Sequence, residues 1–375
     1  MAEKKEKVFF KDGIDRRAVC RLASALHAAW PDFPEDQFIT SGTRGLKKLE
    51  LKDRVRHLMG TMTRFLPNDY LPALKIVQIA GENWPAGDPN DPFRSFAAWP
   101  LIDWVGVEGL DHPGGSLSAL RRLTCLFSAE FAIRPFLLEH TQLTLKELHT
   151  WVDDKDHHVR RLISEGTRSR LPWGQQLPMF MEEPAPVLEL LEQLKDDDSE
   201  YVRRSVANNL NDIVKDHPDL AAEVGARWMM GASTNRKRLV KHGLRTLIKR
   251  GHPGALTALG FEIDPKVDVS FSINADCLSM GEDLILKADI KSTGKRTQKL
   301  VVDFTVHYMK ANGSLSAKVF KWKVLDLEPG QIVQLKKKQK FVSRSVRKLY
   351  TGRHEIEILV SGKKYGKSAF DLQQR

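Results

Sequence analysis

One motif limits the possible folds of this chain more than any other feature: an apolar residue followed by a basic pair, repeated at near-constant intervals. It reads Leu120-Arg121-Arg122-Leu123, Val159-Arg160-Arg161-Leu162 and Val202-Arg203-Arg204-Ser205, with a weaker copy at Leu239-Val240-Lys241. Successive copies begin 39, 43 and 37 residues apart. That interval suits two-helix units of the HEAT type, at about 40–47 residues each. Each copy reads as the start of a helix. Two follow acidic turns, Asp153-Asp154-Lys155-Asp156 and Asp196-Asp197-Asp198-Ser199, whose side chains can cap a helix N-terminus. Second helices lie between, such as Pro186–Lys195, where Val187, Leu190, Leu191 and Leu194 fall at helical spacing. Leu46–Phe65 and Asp69–Ile79 are also expected as helices, and Gly81–Pro100 and Gly106–Gly115 as loops.

After Asp264-Pro265 the hydrophobic period changes to two. Lys266–Ile273, Asp283–Lys291, Lys299–His307, Ala317–Val324, Ile332–Phe341, His354–Val360 and Lys367–Leu372 read as seven strands. Asn312-Gly313, Glu328-Pro329-Gly330 and Gly362-Lys363 mark turns between them. Seven short strands in this span fit an immunoglobulin-like sandwich, here with no cysteine pair to brace it. The expected fold is therefore multidomain: an all-α HEAT-like-repeat solenoid over residues 1–264, then an all-β immunoglobulin-like sandwich over 265–375.

Charge divides at the same border. Residues 265–375 hold 22 Lys and Arg against 11 Asp and Glu, whereas residues 1–264 hold 37 of each. A basic module joined to a neutral body points to a polyanionic partner. Lys336, Lys337, Lys338 and Lys340, followed by Arg344, Arg347 and Lys348, form the densest basic run. Such a run can protect an edge strand, but the excess over the whole module favours phosphate contact. Cys20, Cys125 and Cys277 are isolated, so neither a disulfide framework nor a CxxC metal site is available. The N-terminus, Met1–Lys7, is a charged tail without the apolar stretch of a signal peptide, and no apolar run is long enough to span a bilayer. A reduced, cytoplasmic protein is expected.

The repeat register singles out three carboxylates. Glu130 lies ten residues after Leu120, Asp212 ten after Val202, and Glu165 six after Val159. At about 100° per residue, these offsets place all three in one sector of equivalent helices, near 240–280°. Glu130 interrupts an apolar run, Leu126–Ala132, and Asp212 ends the polar ladder Asn208-Asn209-Leu210-Asn211-Asp212. Glu165 opens Glu165-Gly-Thr-Arg168-Ser-Arg170-Leu-Pro-Trp173, a basic and aromatic segment. Acids gathered in a nucleic-acid groove need a cationic partner. An N-alkylated base is cationic, and cleaving its glycosidic bond builds oxocarbenium character on the sugar. Carboxylates beside both would favour that transition state, and one could orient or deprotonate the attacking water. Trp173 could stack on the base, with Asn208 beside it. Arg161, Arg168, Arg203 and Arg238 are the candidates to grip the DNA backbone, with the basic module clamping the duplex from the other side.

Ser128-Ala-Glu-Phe131, Val159–Arg168 with Arg170-Leu-Pro-Trp173, and Val202–Asp212 together resemble the AlkC branch of the HEAT-like-repeat alkylpurine DNA glycosylases. The basic C-terminal module looks like the Ig-like domain of the longer AlkC proteins. The resemblance implies a monofunctional, metal-free glycosylase that removes 3-alkylated bases such as 3-methyladenine and 3-methylcytosine from double-stranded DNA, leaving an abasic site. It maps the family's active-site acids onto Glu130, Glu165 and Asp212, and its aromatic wall onto Trp173. The aromatics flanking a single Asp that mark AlkD are not evident. No cofactor, metal or membrane partner is implied; a monomer acting at the bacterial nucleoid is expected. The rival readings are a non-catalytic HEAT scaffold for a protein ligand and a structure-specific nucleic-acid binder without chemistry.

Overall fold

The computed structural model describes residues 9–343 and 348–374. The charged tail Met1–Lys7, and Arg344 and Arg347 of the basic run, lie outside the described residues. A helical N-terminal region is followed by a β-sandwich with an Ig-like fold. The chain forms two compact units, Met1–Asp212 and Ile213–Arg375. Among the described residues no helix is long and apolar enough to cross a membrane.

In the first unit the repeated basic pair has a structural explanation. The His157–Gly166 helix buries Val159, Leu162 and Ile163 and is capped by Asp156, which accepts from the His158 amide at 2.8 Å. The first arginine of a pair reaches the acidic turn of the following repeat. Arg121 Nη2 meets Asp154 at 2.5 Å, and Arg160 Nε meets Asp197 at 2.6 Å. Each of those aspartates also accepts from an amide of its own turn, Asp156 N or Ser199 N, at 2.8 Å. One carboxylate thus orders a helix start and ties neighbouring repeats together, so basic pair and acidic turn recur as a set.

Two sequence expectations need correction. Arg121 and Arg122 lie in the last turn of the Pro113–Leu123 helix rather than its first. There they oppose the negative end of the helix dipole. Gly106–Gly115 is mostly helical: Trp99–Glu108 and Pro113–Leu123 leave only residues 109–112 between them. Pro113 starts the second of these helices, because its missing N–H would be unpaired at that position in any case.

The second unit begins with helices that include Pro218–Met229, Thr234–Gly243, Arg245–Arg250 and Pro253–Ala258. Among the described residues eight strands follow: β1 (Val267–Ile273), β2 (Cys277–Ser279), β3 (Asp283–Ser292), β4 (Gln298–Met309), β5 (Leu315–Leu327), β6 (Ile332–Lys340), β7 (Gly352–Val360) and β8 (Lys363–Gln373). They pair as β1-β3-β6 and β2-β8-β7-β4-β5, antiparallel except for β2 on β8. Leu286, Phe304, Phe341, Ile356 and Phe370 are buried between the two sheets. Alternation is clean on β3 and lost on β4, which is buried almost throughout. The strand not expected from sequence is β2, whose three residues are too few to show a period. β6 is an edge strand, so its lysines occupy the place where charge deters pairing with another chain.

The helices of this unit dock on the sandwich through backbone. The Glu262 amide donates to the Lys299 carbonyl at 2.8 Å, and Lys299 Nζ donates to the Leu259 carbonyl at 2.9 Å. Gly251 ends the Arg245–Arg250 helix with φ 69°, and Gly362 turns β7 into β8 with φ 80°. A Cβ on either would lie within 2.5 Å of the other's Cα, so both positions require glycine.

Candidate active site

The structure gathers the three predicted carboxylates into one network within the first unit, although not from three equivalent helices. Glu165 is on the His157–Gly166 helix and Asp212 on the Glu200–Ile213 helix. Glu130 lies in a turn between Pro113–Leu123 and Arg134–Glu139, so the helical register assumed for it is corrected. It reaches the others through arginine. Arg161 Nη1 lies 2.5 Å from Glu130 Oε2, and its Nη2 lies 3.5 Å from Glu165 Oε2. Arg168 Nη1 donates to Glu165 Oε1 and its Nε to Asp212 Oδ2, each at 2.7 Å. Three acids therefore alternate with two guanidiniums along a continuous chain.

Hydroxyls and a buried amide hold the chain in place. Ser128 Oγ donates to Glu130 Oε2 at 2.9 Å, and Ser205 Oγ donates to Glu165 Oε2 at 2.6 Å. Ser164 Oγ donates to Ser205 Oγ at 2.8 Å, and Asn209 Nδ2 donates to the Ser164 carbonyl at 2.8 Å. Tyr201 presents its ring to Arg161, 4.8 Å from the guanidinium carbon. Burial works against the charge on Arg161, but Glu130 and Glu165 outweigh it and raise its proton affinity. Arg168 is raised likewise: burial opposes its charge, and Glu165 and Asp212 prevail.

Arg161 and Arg168 were expected to grip the DNA backbone. The structure turns both guanidiniums onto the carboxylates. Arg134 behaves differently. It is fully buried and donates to two carbonyls, Gln175 O at 2.5 Å and Gly166 O at 2.8 Å. Burial, reinforced by Arg168, pushes it down to about 10. Its role is to anchor both ends of the segment carrying Trp173.

A TM-score of 0.90, with 33% identity, relates the chain to the structure of Pseudomonas fluorescens alkylpurine DNA glycosylase AlkC bound to DNA containing an abasic site analog; the match covers 98% of this chain and 100% of that one. The chain is also 33% identical to YhaZ of Bacillus subtilis (strain 168), described as an uncharacterized protein, across 97% of this chain and 98% of that protein. Residues 268–374 match the family described as "Uncharacterised protein YhaZ, C-terminal Ig-like domain". The chain belongs to the AlkC family.

In this AlkC-family chain Trp173 is 65% exposed and has φ 64°, a left-handed conformation unusual for a bulky residue. Its carbonyl accepts from Lys52 Nζ, which also lies 4.4 Å from the Phe131 ring centre. Lys52, Trp99, Asp103, Phe131 and Trp173 line a cavity of about 350 Å3. Asp103 Oδ2 accepts from Trp99 Nε1 at 2.8 Å, whereas its Oδ1 is buried without a hydrogen bond. Burial pushes this carboxyl up to about 7, against the pull of Trp99 and Lys52.

The other predicted residues are scattered. Asn208 is half-buried on the helix that carries Asp212. Arg203 is half-buried and donates to the Asp197 carbonyl. Arg238 is exposed on the Thr234–Gly243 helix of the second unit. Lys336, Lys338 and Lys340 are exposed on β6 and Lys337 half-buried; Lys338 pairs with Asp283 at 3.6 Å.

Sequence reasoning missed Ser128, Ser205, Asn209, Tyr201, Lys52 and Asp103. Ser205 carried a signal: it stands seven residues before Asp212, on the same helix face. Lys52 and Asp103 carried none, because what pairs them with the site is tertiary. Among the described residues, Asp156, His157 and His158 bring three potential metal ligands together. Asp156 is already in use there as the helix cap.

Proposed function

We propose that this protein is a monofunctional DNA glycosylase that hydrolyses the N-glycosidic bond of cationic N3-alkylated bases in double-stranded DNA. 3-Methyladenine and 3-methylcytosine are the expected substrates, and an abasic site the product. The observation that carries the proposal is the continuous Glu130–Arg161–Glu165–Arg168–Asp212 network in a chain of the AlkC family.

The chemistry suits such a site. Alkylation has already made the base cationic, so the C1′–N bonding pair leaves with the base and neutralises it. No general acid is needed for departure. The sugar acquires oxocarbenium character, which fixed carboxylates stabilise without reorganising. Water then bonds to C1′, and its proton passes to a carboxylate or to solvent. Glu130, Glu165 and Asp212 are the proposed catalytic acids. Arg161 and Arg168 hold them in position while leaving the set with more carboxylates than counter-ions. Trp173 and Asn208 would contact the base. Arg203, Arg238 and the β6 lysines would contact phosphate, with residues 265–375 serving as a second grip on the duplex. The protein would act as a monomer, without metal or cofactor, at the nucleoid in the cytoplasm.

The test is release of methylated base from duplex DNA by the purified full chain. Excision by the native protein, lost in Glu165→Gln and Asp212→Asn with DNA affinity retained or increased, supports the reading. DNA binding without release by the native protein would leave a binder without chemistry.

A further inference from the structure

Lys52 stands where helix electrostatics disfavour a lysine. It occupies the first turn of the Leu51–Phe65 helix, at the positive end of the helix dipole, where an acid is favoured. Its side chain is half-buried, and burial pushes its ammonium below the ordinary value, with Asp103 opposing the fall and Arg56 adding to it. What holds the cation there is tertiary. Lys52 Nζ donates to the Trp173 carbonyl and lies 4.4 Å from the Phe131 ring centre.

Among the described residues Trp173 and Ser361 are the two non-glycine residues with positive φ. The adjacent Gly174, which could adopt that conformation without strain, does not. The bend therefore falls on the tryptophan. The Trp173–Gly174 peptide is held from both sides: its N–H donates to the Leu171 carbonyl at 3.0 Å, and its carbonyl accepts from Lys52. The first contact is local to the turn, whereas the second comes from a helix residue 121 positions earlier in the chain. Phe131 joins this contact to the acids, since it follows Glu130 in sequence and stacks on Trp99 at 5.5 Å. Trp99 in turn donates to Asp103, whose Oδ1 has no hydrogen bond although the charge of Lys52 reaches it. The ammonium is thus committed to the Trp173 carbonyl rather than to a carboxylate.

We propose that Lys52 is a positioning residue, holding Trp173 in the outward, left-handed conformation in which its ring can meet a base. Without the ammonium the exposed ring is free to fold over the apolar lining of the cavity, Met59, Phe131 and Pro135, and to bury itself there. The inference rests on the base-contacting role proposed for Trp173, but the conformation of the ring is measurable without any base release.

The experiment uses the full chain with Lys52→Met and Lys52→Gln, each made also in a Trp173→Ala background. The emission lost with Trp173→Ala isolates Trp173 from the other tryptophans, eight in all. Acrylamide quenching of that emission is expected to fall about twofold in both Lys52 variants, as the ring leaves solvent. Single-turnover release of methylated base at saturating DNA is expected to fall between about ten- and a hundredfold at unchanged affinity. Because Lys52 acts through Trp173, adding Lys52→Met to Trp173→Ala should cause no further fall. Equal quenching in the native protein and the variants overturns the proposal, whether or not the native protein releases base. So does a loss of DNA affinity with the slope of log K against log salt lowered by about 1, which marks Lys52 as a phosphate contact instead.

Discussion

Arg168 separates support from chemistry at the scale of single residues. Its two hydrogen bonds supply a counter-charge shared by Glu165 and Asp212, all three side chains being buried. Arg168→Met is expected to destabilise the protein by about 3–5 kcal/mol in chemical denaturation, as removal of one partner of a buried ion pair does. Glu165→Gln keeps the shape of the side chain and should change stability far less. Asp103 offers a test by pH. Its carboxyl is pushed from an ordinary 3.8 to about 7, so the folded protein holds this proton more tightly than the unfolded chain. The resulting penalty on the folded state is absent below about 4, grows as pH rises, and is complete above about 7. Asp103→Asn should therefore be more stable than the native protein at pH 8, with the difference vanishing near pH 4. Melting curves that stay parallel across that range would contradict the assignment. Part of this was legible in the chain. Arg161, Glu165 and Arg168 follow one another at helical intervals, so their proximity could be read directly. Glu130 was reached by a helical register that does not exist there; what brings it into the network is Arg161 of the His157–Gly166 helix. Asp103 stands in an apolar stretch, Leu101-Ile102-Asp103-Trp104, but what brings it to the cavity beside Trp173 is tertiary.

At the scale of elements, close backbone approach makes the firmest prediction. Gly362→Ala places a methyl against the Gly251 backbone and forces a non-glycine residue to adopt φ 80°. A loss of at least about 1–3 kcal/mol is expected from the backbone conformation alone, read as a lower melting temperature of the full chain. The Gly362-Lys363 turn was evident in the sequence, but its contact with Gly251 was not. A turn signal specifies dihedral angles, whereas the second glycine lies more than a hundred residues away. The basic-pair repeat was recognised through its interval, and its cause appeared only in the structure. Arg121 and Arg160 bind the acidic turn of the next repeat, so charges that look like a solvated face act as connectors between repeats.

For the whole molecule, the +11 charge belongs to residues 265–375 and the first 264 residues are balanced. A neutral body suits the proposed site for a cationic base, and the basic module can supply long-range attraction to DNA. Truncation after Asp264 is expected to lower DNA affinity and flatten its salt dependence. It also removes the β4 groups that pair with Leu259 and Glu262, so amide exchange should quicken in residues 253–262. Unchanged affinity and exchange would show the module to be dispensable. The central claim remains that the carboxylate network performs chemistry. It is tested most directly by single-turnover release of 3-methyladenine or 3-methylcytosine from duplex DNA, comparing the native protein with Glu165→Gln at equal DNA occupancy. The account predicts release by the native protein and a fall of about 10²–10³-fold in the variant at undiminished affinity. Equal rates in the two, or no release by the native protein, would contradict it.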